Sequence, residues 1–314
     1  MENNKLWDVA IIGGGIAAFS AAIYLGRQKL DTLILASEKG GQISQQPEVA
    51  NYAGFVERDG AKLVGYAHKQ VEDLGIKTEE GTHIKKISSK QIDEEIIFVL
   101  EDANGFSYEA RAVIVASGKK PRMLNIPGEA EYMNKGVTYC AVCDAPLFGG
   151  KDVVVIGGGN TGLDWAHLLA KYANKVYVFV RSDIRGAKMT YEKLKANPKI
   201  EFLMGVEPVK ISGNNFVDSM VYRDRATGEE KTLKVEGIFP AIGLVPNTDF
   251  CKDIVELNQW GEIAIDPRTN MSSRPGIFAA GDVTDVLEKQ AIIAAGQGAM
   301  AALQAIKYVE ERKK

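Results

Sequence analysis

Apolar runs of about five residues that stop abruptly at glycine, each followed by apolar positions three and four apart, recur along this chain. A switch from a buried-strand pattern to a helical one predicts a parallel sheet covered by helices. The first case is Trp7-Asp8-Val9-Ala10-Ile11-Ile12, the turn Gly13-Gly14-Gly15, and a helix from Ile16 through about Gly26, followed by a strand over 32–36. An amphipathic helix over about 61–74 leads to short strands near 83–87, 96–100 and 108–110, then to a buried strand over 112–116. Strand, glycine turn and helix return at 151–162, with the helix over 161–173 and a further strand over 175–180. Strands near 201–203, 209–212, 218–223 and 232–235 come next, then 237–243, the buried run 276–283 and an Ala-rich helix over about 290–309. Pro and Gly punctuation at 118–122 marks a change of domain. The pattern predicts an α/β fold of two dinucleotide-binding, Rossmann-like three-layer domains, the second inserted into the first. Their expected bounds are 1–118 with 244–314, and 119–243.

The glycine turns carry the first candidate chemistry. Gly13 permits a tight bend, Gly15 lets the backbone approach a pyrophosphate, and small Ala18 lets helix pack on strand, with Ile16 and Ala17 opening a helix whose N-terminus faces the phosphates. The second strand ends without the acid that usually receives a ribose hydroxyl; Glu38 follows two residues later. The polar stretch Lys39-Gly40-Gly41-Gln42 and 45–55, with Asn51, reads either as a surface loop or as amides and backbone donors around a polar ring system. Ala116 and Gly118 end the buried strand, and Gly281-Asp282 ends the last one. There Asp282 either bonds a ribityl hydroxyl or caps a helix. In the second turn Gly157, Gly159 and Gly162 repeat the plan around Asn160 and Thr161. Arg181 and Arg185, just past the second strand of that domain, sit where a 2'-phosphate would be paired, which points to NADPH; a solvated charged loop is the alternative.

Composition narrows the class. A chain of 314 residues with 46% hydrophobic and 25% charged residues has material for two globular cores, and a net charge of -3 argues against a nucleic-acid binder. No apolar run reaches membrane-spanning length, and Met1-Glu2-Asn3-Asn4-Lys5 lacks the plan of a signal peptide, so a cytoplasmic protein without a membrane partner is expected. Two of the three cysteines lie three apart in Tyr139-Cys140-Ala141-Val142-Cys143-Asp144, a C-x-x-C with a carboxylate behind it. Such a dithiol can close a disulfide and store two electrons. A zinc site would need paired ligands elsewhere, and Cys251, His68, His83 and His167 are isolated, so no metal is expected. Cys251 reads as a bystander, and Trp7, Trp165 and Trp260 as core or domain-contact residues.

With these motifs assembled, the sequence resembles the low-molecular-weight thioredoxin reductases nearly end to end. The resemblance rests on 13–18, on Lys39-Gly40-Gly41-Gln42, on 139–144, on 157–162, and on Ala280-Gly281-Asp282 followed by Gln290-Ala291. In that family the C-x-x-C lies in the second domain just ahead of its glycine turn, whereas other flavin disulfide reductases carry it near the N-terminus. The resemblance implies FAD held by the N- and C-terminal segments, down to Lys289, Gln290 and Ala291. It implies that Cys143 faces the flavin, that Cys140 attacks the disulfide of a thioredoxin-like protein, and that Asp144 donates a proton. It also implies a homodimer whose second domain rotates between two arrangements.

Two departures bear on the electron donor and the flavin. Phe179-Val180-Arg181 stands where NADPH-dependent members carry His-Arg-Arg, and Lys289 replaces the usual Arg, keeping charge but giving up bidentate geometry. Three functions therefore stand at this point. One is a thioredoxin-disulfide reductase fed by NADPH or NADH; another is a reductase fed by ferredoxin; the third is a non-enzymatic flavin and dithiol redox sensor.

Overall fold

A computed structural model describes residues 5–46 and 49–313 of the chain. Residues 1–4, Pro47 and Glu48 of the expected polar loop, and Lys314 of the expected solvated helix end lie outside the described residues. The chain divides into two compact units, one running up to Lys120 and resuming at Val245, the other spanning Pro121–Leu244.

In the first unit β1 (Leu6–Ile12) passes through the glycine turn into α1 (Ile16–Arg27) and β2 (Thr32–Ala36). A short α2 (Gly41–Ser44) precedes α3 (Gly60–Asp73), whose N-cap Asp59 accepts the Lys62 N–H at 3.0 Å. Then come β3 (Lys77–Glu80), β4 (Ile84–Ile92), β5 (Glu95–Asp102), β6 (Ser107–Val115) and β7 (Lys119–Pro121). The main sheet runs β3-β2-β1-β6-β5-β4. Two of these strands depart from expectation. The strand β6 is continuous where two short ones are expected, because mid-strand Arg111 is neutralised by Asp8 at 3.4 Å and Glu95 at 3.3 Å instead of turning the chain. The strand β3, Lys-Thr-Glu-Glu, has no apolar pattern at all and forms by backbone pairing to the edge of β2.

The second unit holds α4 (Ala141–Asp144), β8 (Asp152–Ile156), α5 (Asn160–Leu169), β9 (Lys175–Val180), α6 (Lys188–Lys195) and β10 (Ile200–Met204). An antiparallel meander follows, β11 (Val206–Gly213), β12 (Val217–Asp224) and β13 (Glu230–Lys234), before β14 (Gly237–Pro240) rejoins the parallel sheet in the order β10-β9-β8-β14. The chain leaves along β15 (Leu244–Pro246), which pairs with β7. Back in the first unit, β16 (Ile277–Ala279) pairs with β6, and α7 (Ala291–Arg312) closes the fold.

Each parallel sheet is buried on both faces, as its unbroken Val/Ile/Leu runs require. In the first unit α1, α3 and α7 cover one face, and residues 250–263 with β4 and β5 cover the other. In the second, α5 and α6 cover one face and the meander the other. The outer layer opposite the helices is thus built from strands and loop. Trp7 and Trp165 pack against these cores, but Trp260, expected in a core or contact, is 67% exposed at the turn before Gly261.

Candidate functional site

The parallel register aligns Ile12 with Val115, and Val115 with Ala279, so β1, β6 and β16 end at one edge. Their following residues, Gly13, Ala116 and Ala280, open onto a cavity of about 850 Å³, within the size range of cofactor sites. The turn after β1 is shaped by close approach. Gly13 has φ +128°, and a Cβ there would lie 2.2 Å from the Ala116 carbonyl oxygen. Gly15 caps α1 without any side-chain acceptor, and nothing stands within 4 Å of where its Cβ would be. The first N–H groups of α1 therefore face open space, a cradle suited to a pyrophosphate. Ile16 and Ala17 line the cavity, whereas Ala18 is fully buried at the helix–sheet contact.

Glu38 follows β2 on one side of this turn, and Gly40, Gly41 and Gln42 run from it along the wall. Across the turn, Gly118, Gly281 and Asp282 line the far wall with Lys289, Gln290 and Ala291. Two bonds tie the walls together: Gln42 Nε2 to Asp282 Oδ2 at 3.4 Å, and Asn51 Nδ2 to Gln290 Oε1 at 3.0 Å. Asp282 sits in a single turn Gly281–Val283, nine residues before α7, and the N-cap of α7 is Gln290, so the helix-capping alternative fails. Burial raises its carboxyl above the usual carboxylate range, against the pull of Lys289 and Lys119. The chain's residues here fit FAD: a bare pyrophosphate cradle, an acid after β2, and amides with one carboxyl beyond the turn.

Sequence reasoning missed the charged cluster behind that far wall. Glu262 Oε1 accepts from Lys119 Nζ at 2.8 Å and Lys289 Nζ at 3.0 Å, while Oε2 accepts from Asn258 Nδ2 at 2.7 Å. Only the twin lysines of the crossover hinted at it, and nothing pointed to Glu262. Burial alone would raise this carboxyl, but the bonds from Lys119, Asn258 and Lys289 outweigh it and hold it at about 2. A folded value below the unfolded one gives stability that is full above about pH 4.5 and is lost as the pH falls toward 2. Urea melts are expected to lose up to about 3 kcal/mol across that window from this group, and Glu262→Gln to flatten the dependence. An unchanged acid slope in the variant would remove Glu262 from that role.

The second unit carries a matching cradle on a cavity of about 810 Å³. Gly157 has φ +134°, and its Cβ would meet the Ala241 oxygen at 2.3 Å; Gly159 caps α5 with open space before it. Asn160 and Thr161 line the cavity, and Asn160 Oδ1 accepts the Ala187 N–H at 2.8 Å. Gly162 lies back from it, 2.0 Å from the Gly157 oxygen were a Cβ present. Arg181 and Arg185 both line the cavity, together with Ser182, Asp183 and the unforeseen Arg122 and Glu207. The loop after β9 thus offers an acid as well as two cations, a mixed signal for a 2'-phosphate.

Cys140 and Cys143 form a disulfide with Cα atoms 5.3 Å apart, straddling α4. Cys143 is exposed and Cys140 half-buried. The Cys143 N–H donates to Cys140 Sγ at 3.2 Å, an interaction that favours a thiolate on Cys140 once the bond opens. Thr138 Oγ1 accepts the Cys140 N–H at 3.2 Å and donates its own hydrogen to Asp144. Tyr139 donates to Glu129, a buried carboxylate that also accepts the Leu124 and Asn125 N–H groups at 2.7 Å. Burial, with Glu129 beside it, pushes the Tyr139 hydroxyl well above its usual value and keeps it a donor. Cys251 takes no part. It is buried, its thiol donates to the Thr248 carbonyl at 3.3 Å, and burial pushes it up to about 12. Among the described residues no cluster of His, Cys, Asp and Glu could hold a metal, and no helix is long and apolar enough to cross a membrane.

Residues 7–298 match the family model described as pyridine nucleotide-disulphide oxidoreductase. An alkyl hydroperoxide reductase flavin-family relative, the F component from Staphylococcus aureus, is 42% identical over 98% of this chain, and NADH dehydrogenase from Bacillus subtilis 38% identical over 96%. The chain spans only 60% and 58% of the length of those two relatives. Among solved structures, thioredoxin reductase from Lactococcus lactis superposes with a TM-score of 0.82 at 32% identity, over 97% of this chain and 99% of that one. Thioredoxin reductase from T. acidophilum gives 0.79 at 34% identity, over 98% and 100%.

Proposed function

Because the chain belongs to the pyridine nucleotide-disulphide oxidoreductase family, which uses FAD with NAD(P)H, we propose that it delivers electrons through Cys140 and Cys143 to the disulfide of a thioredoxin-like protein. The observation that carries this reading is the disulfide itself, closed beside the Thr138 and Asp144 hydrogen bond in a turn with an exposed sulfur. Bound FAD supplies two-electron storage between a nicotinamide and a disulfide. In the first unit Gly13, Gly15 and the N-terminus of α1 bind its pyrophosphate, Glu38 its ribose, and Asp282 a ribityl hydroxyl. In the second, Gly157, Gly159, Asn160 and Thr161 bind the nucleotide donor.

Two electrons and two protons open the Cys140–Cys143 bond to a dithiol. The Cys140 thiolate attacks one sulfur of the partner disulfide, forming a mixed disulfide and expelling a partner thiolate, which takes a proton from Asp144. Cys143 then attacks Cys140 Sγ, releasing the second partner thiol and closing the original bond, so that the partner gains the two electrons and two protons. Thr138 holds the Asp144 carboxyl against the turn while this occurs. A homodimer in the cytoplasm is the proposed working form.

A second reading of the acceptor is supported by the 42% identity to the alkyl hydroperoxide reductase component, above the 32% and 34% to the thioredoxin reductases. It makes the acceptor a thiol protein of a peroxide-reducing system. One anaerobic experiment addresses donor and acceptor together. Holoenzyme is mixed with NADH, NADPH or reduced ferredoxin, and then with a thioredoxin or a peroxide-reducing thiol protein. Rapid bleaching of the flavin by either nucleotide, followed by thiol release from thioredoxin, is expected; bleaching by ferredoxin alone would replace the donor. Bleaching without turnover on any protein disulfide would leave the dithiol a sensor.

A further inference from the structure

The order of the sheet says which half of a dinucleotide meets which wall of the first cavity. Glu38 follows β2 and the pyrophosphate turn follows β1, so the adenosine half lies toward β2 and the other half toward β6 and β16. Lys119 follows β6, and Lys289 follows β16 and precedes α7, so both lysines stand on the side of the redox ring.

Their placement is imposed from behind. Lys119 and Lys289 are 13% and 23% exposed and share a single oxygen of Glu262, itself 11% exposed and fixed by Asn258. Two ammoniums converging on one half-buried oxygen repel each other unless further negative charge lies before them. Both line the cavity, whereas Glu262 does not. Lys289 gives a second hydrogen to the Thr284 carbonyl, and Lys119 retains two for whatever lies in front of it. Asp282 is the other charged group at this wall; with it and Glu262 ionised the four charges sum to zero, so the effect is one of arrangement. Asp282 is engaged by Gln42, while the ammoniums face the cavity.

We propose that Lys119 is a cofactor-contacting residue that acts with Lys289 to favour reduced over oxidised FAD, and that Glu262 is the positioning residue that aims both. Two-electron reduction adds negative charge to the ring system, and a fixed cation in a half-buried site stabilises that charge more than it would in water. The inference rests on the cofactor and not on the identity of the protein acceptor.

The test is the midpoint potential of the holoenzyme, measured against a reference dye, together with the dissociation constant of oxidised FAD. In Lys119→Met the preference for reduced FAD is expected to fall about tenfold, which is about 30 mV for a two-electron couple. Its affinity for oxidised FAD should change by less than about threefold. Lys119→Arg should restore most of the potential, and in a Glu262→Gln background the Lys119→Met shift should shrink by about half or more. An unchanged potential in Lys119→Met, or a shift that arginine does not restore, would overturn the role of Lys119. An undiminished shift in the Glu262→Gln background would overturn the positioning role. Should Lys119→Met fail to retain cofactor, Lys119→Gln and Lys289→Met carry the same measurement. A wild-type protein that holds no FAD would overturn the cofactor reading as well.

Discussion

Serine at Cys143 is expected to cut turnover on a protein disulfide by about a thousandfold or more, while FAD stays bound and dye reduction by NAD(P)H continues. The separation follows from where the groups sit. Every residue lining the first cavity lies in the first unit, and both cysteines lie in the second, so losing a sulfur leaves the cofactor cradle intact. Serine at Cys140 should cost as much, but the two variants should differ in what they trap. The hydrogen bond from the Cys143 N–H to Cys140 Sγ favours the thiolate on Cys140. Cys143→Ser should therefore accumulate a mixed disulfide with thioredoxin, which a nonreducing gel detects. Exposure alone would choose the other sulfur, since Cys143 is the more exposed of the two. Trapping by Cys140→Ser would therefore show that access outweighs thiolate stability and would reverse the two roles.

Alanine at Gly13 and alanine at Gly157 should break different halves of the reaction. At Gly13 a methyl group would have to adopt φ +128° and lie 2.2 Å from the Ala116 carbonyl, a backbone atom held in the β1 and β6 ladder. Strain of about 1–3 kcal/mol for the backbone, with displacement of the turn added, predicts FAD affinity down about a hundredfold and a lowered Tm. At Gly157 the same conflict arises with the Ala241 oxygen at 2.3 Å. Here FAD should remain at full occupancy and be bleached normally by dithionite, while reduction by NADH or NADPH needs at least about tenfold more nucleotide. Flavin content after desalting and anaerobic titration read the two effects separately. Loss of FAD from Gly157→Ala, with Gly13→Ala unaffected, would exchange the assignment of the cavities.

The parts of the fold legible in the sequence are those whose cause is local. Val9 to Ile12 and Val153 to Ile156 read as buried parallel strands because both faces are covered, and the glycines after them read as phosphate turns because the backbone needs the room. The dithiol was legible for the same reason, since two cysteines three apart meet across one turn whatever surrounds them. Where pattern misled, a distant partner had changed the local rule. Arg111 breaks an apolar run yet stays within β6 because Asp8 waits across the sheet, and polar β3 forms only against the open edge of β2.

The charged architecture of the site belongs wholly to the tertiary structure. Lys119 and Glu262 are 143 residues apart in the chain, and Gln42 and Asp282 are 240 apart. Within the second unit, Glu129 reaches Tyr139 only after the chain folds back on itself. By itself the sequence determined that two phosphate cradles and one dithiol exist, because each is built from neighbours whose backbone geometry depends on their own side chains. Only the folded chain decided which cations face the cofactor and which hydroxyl holds the acid. Long side chains can pair in many ways, and the one adopted depends on which strand ends the sheet brings within reach.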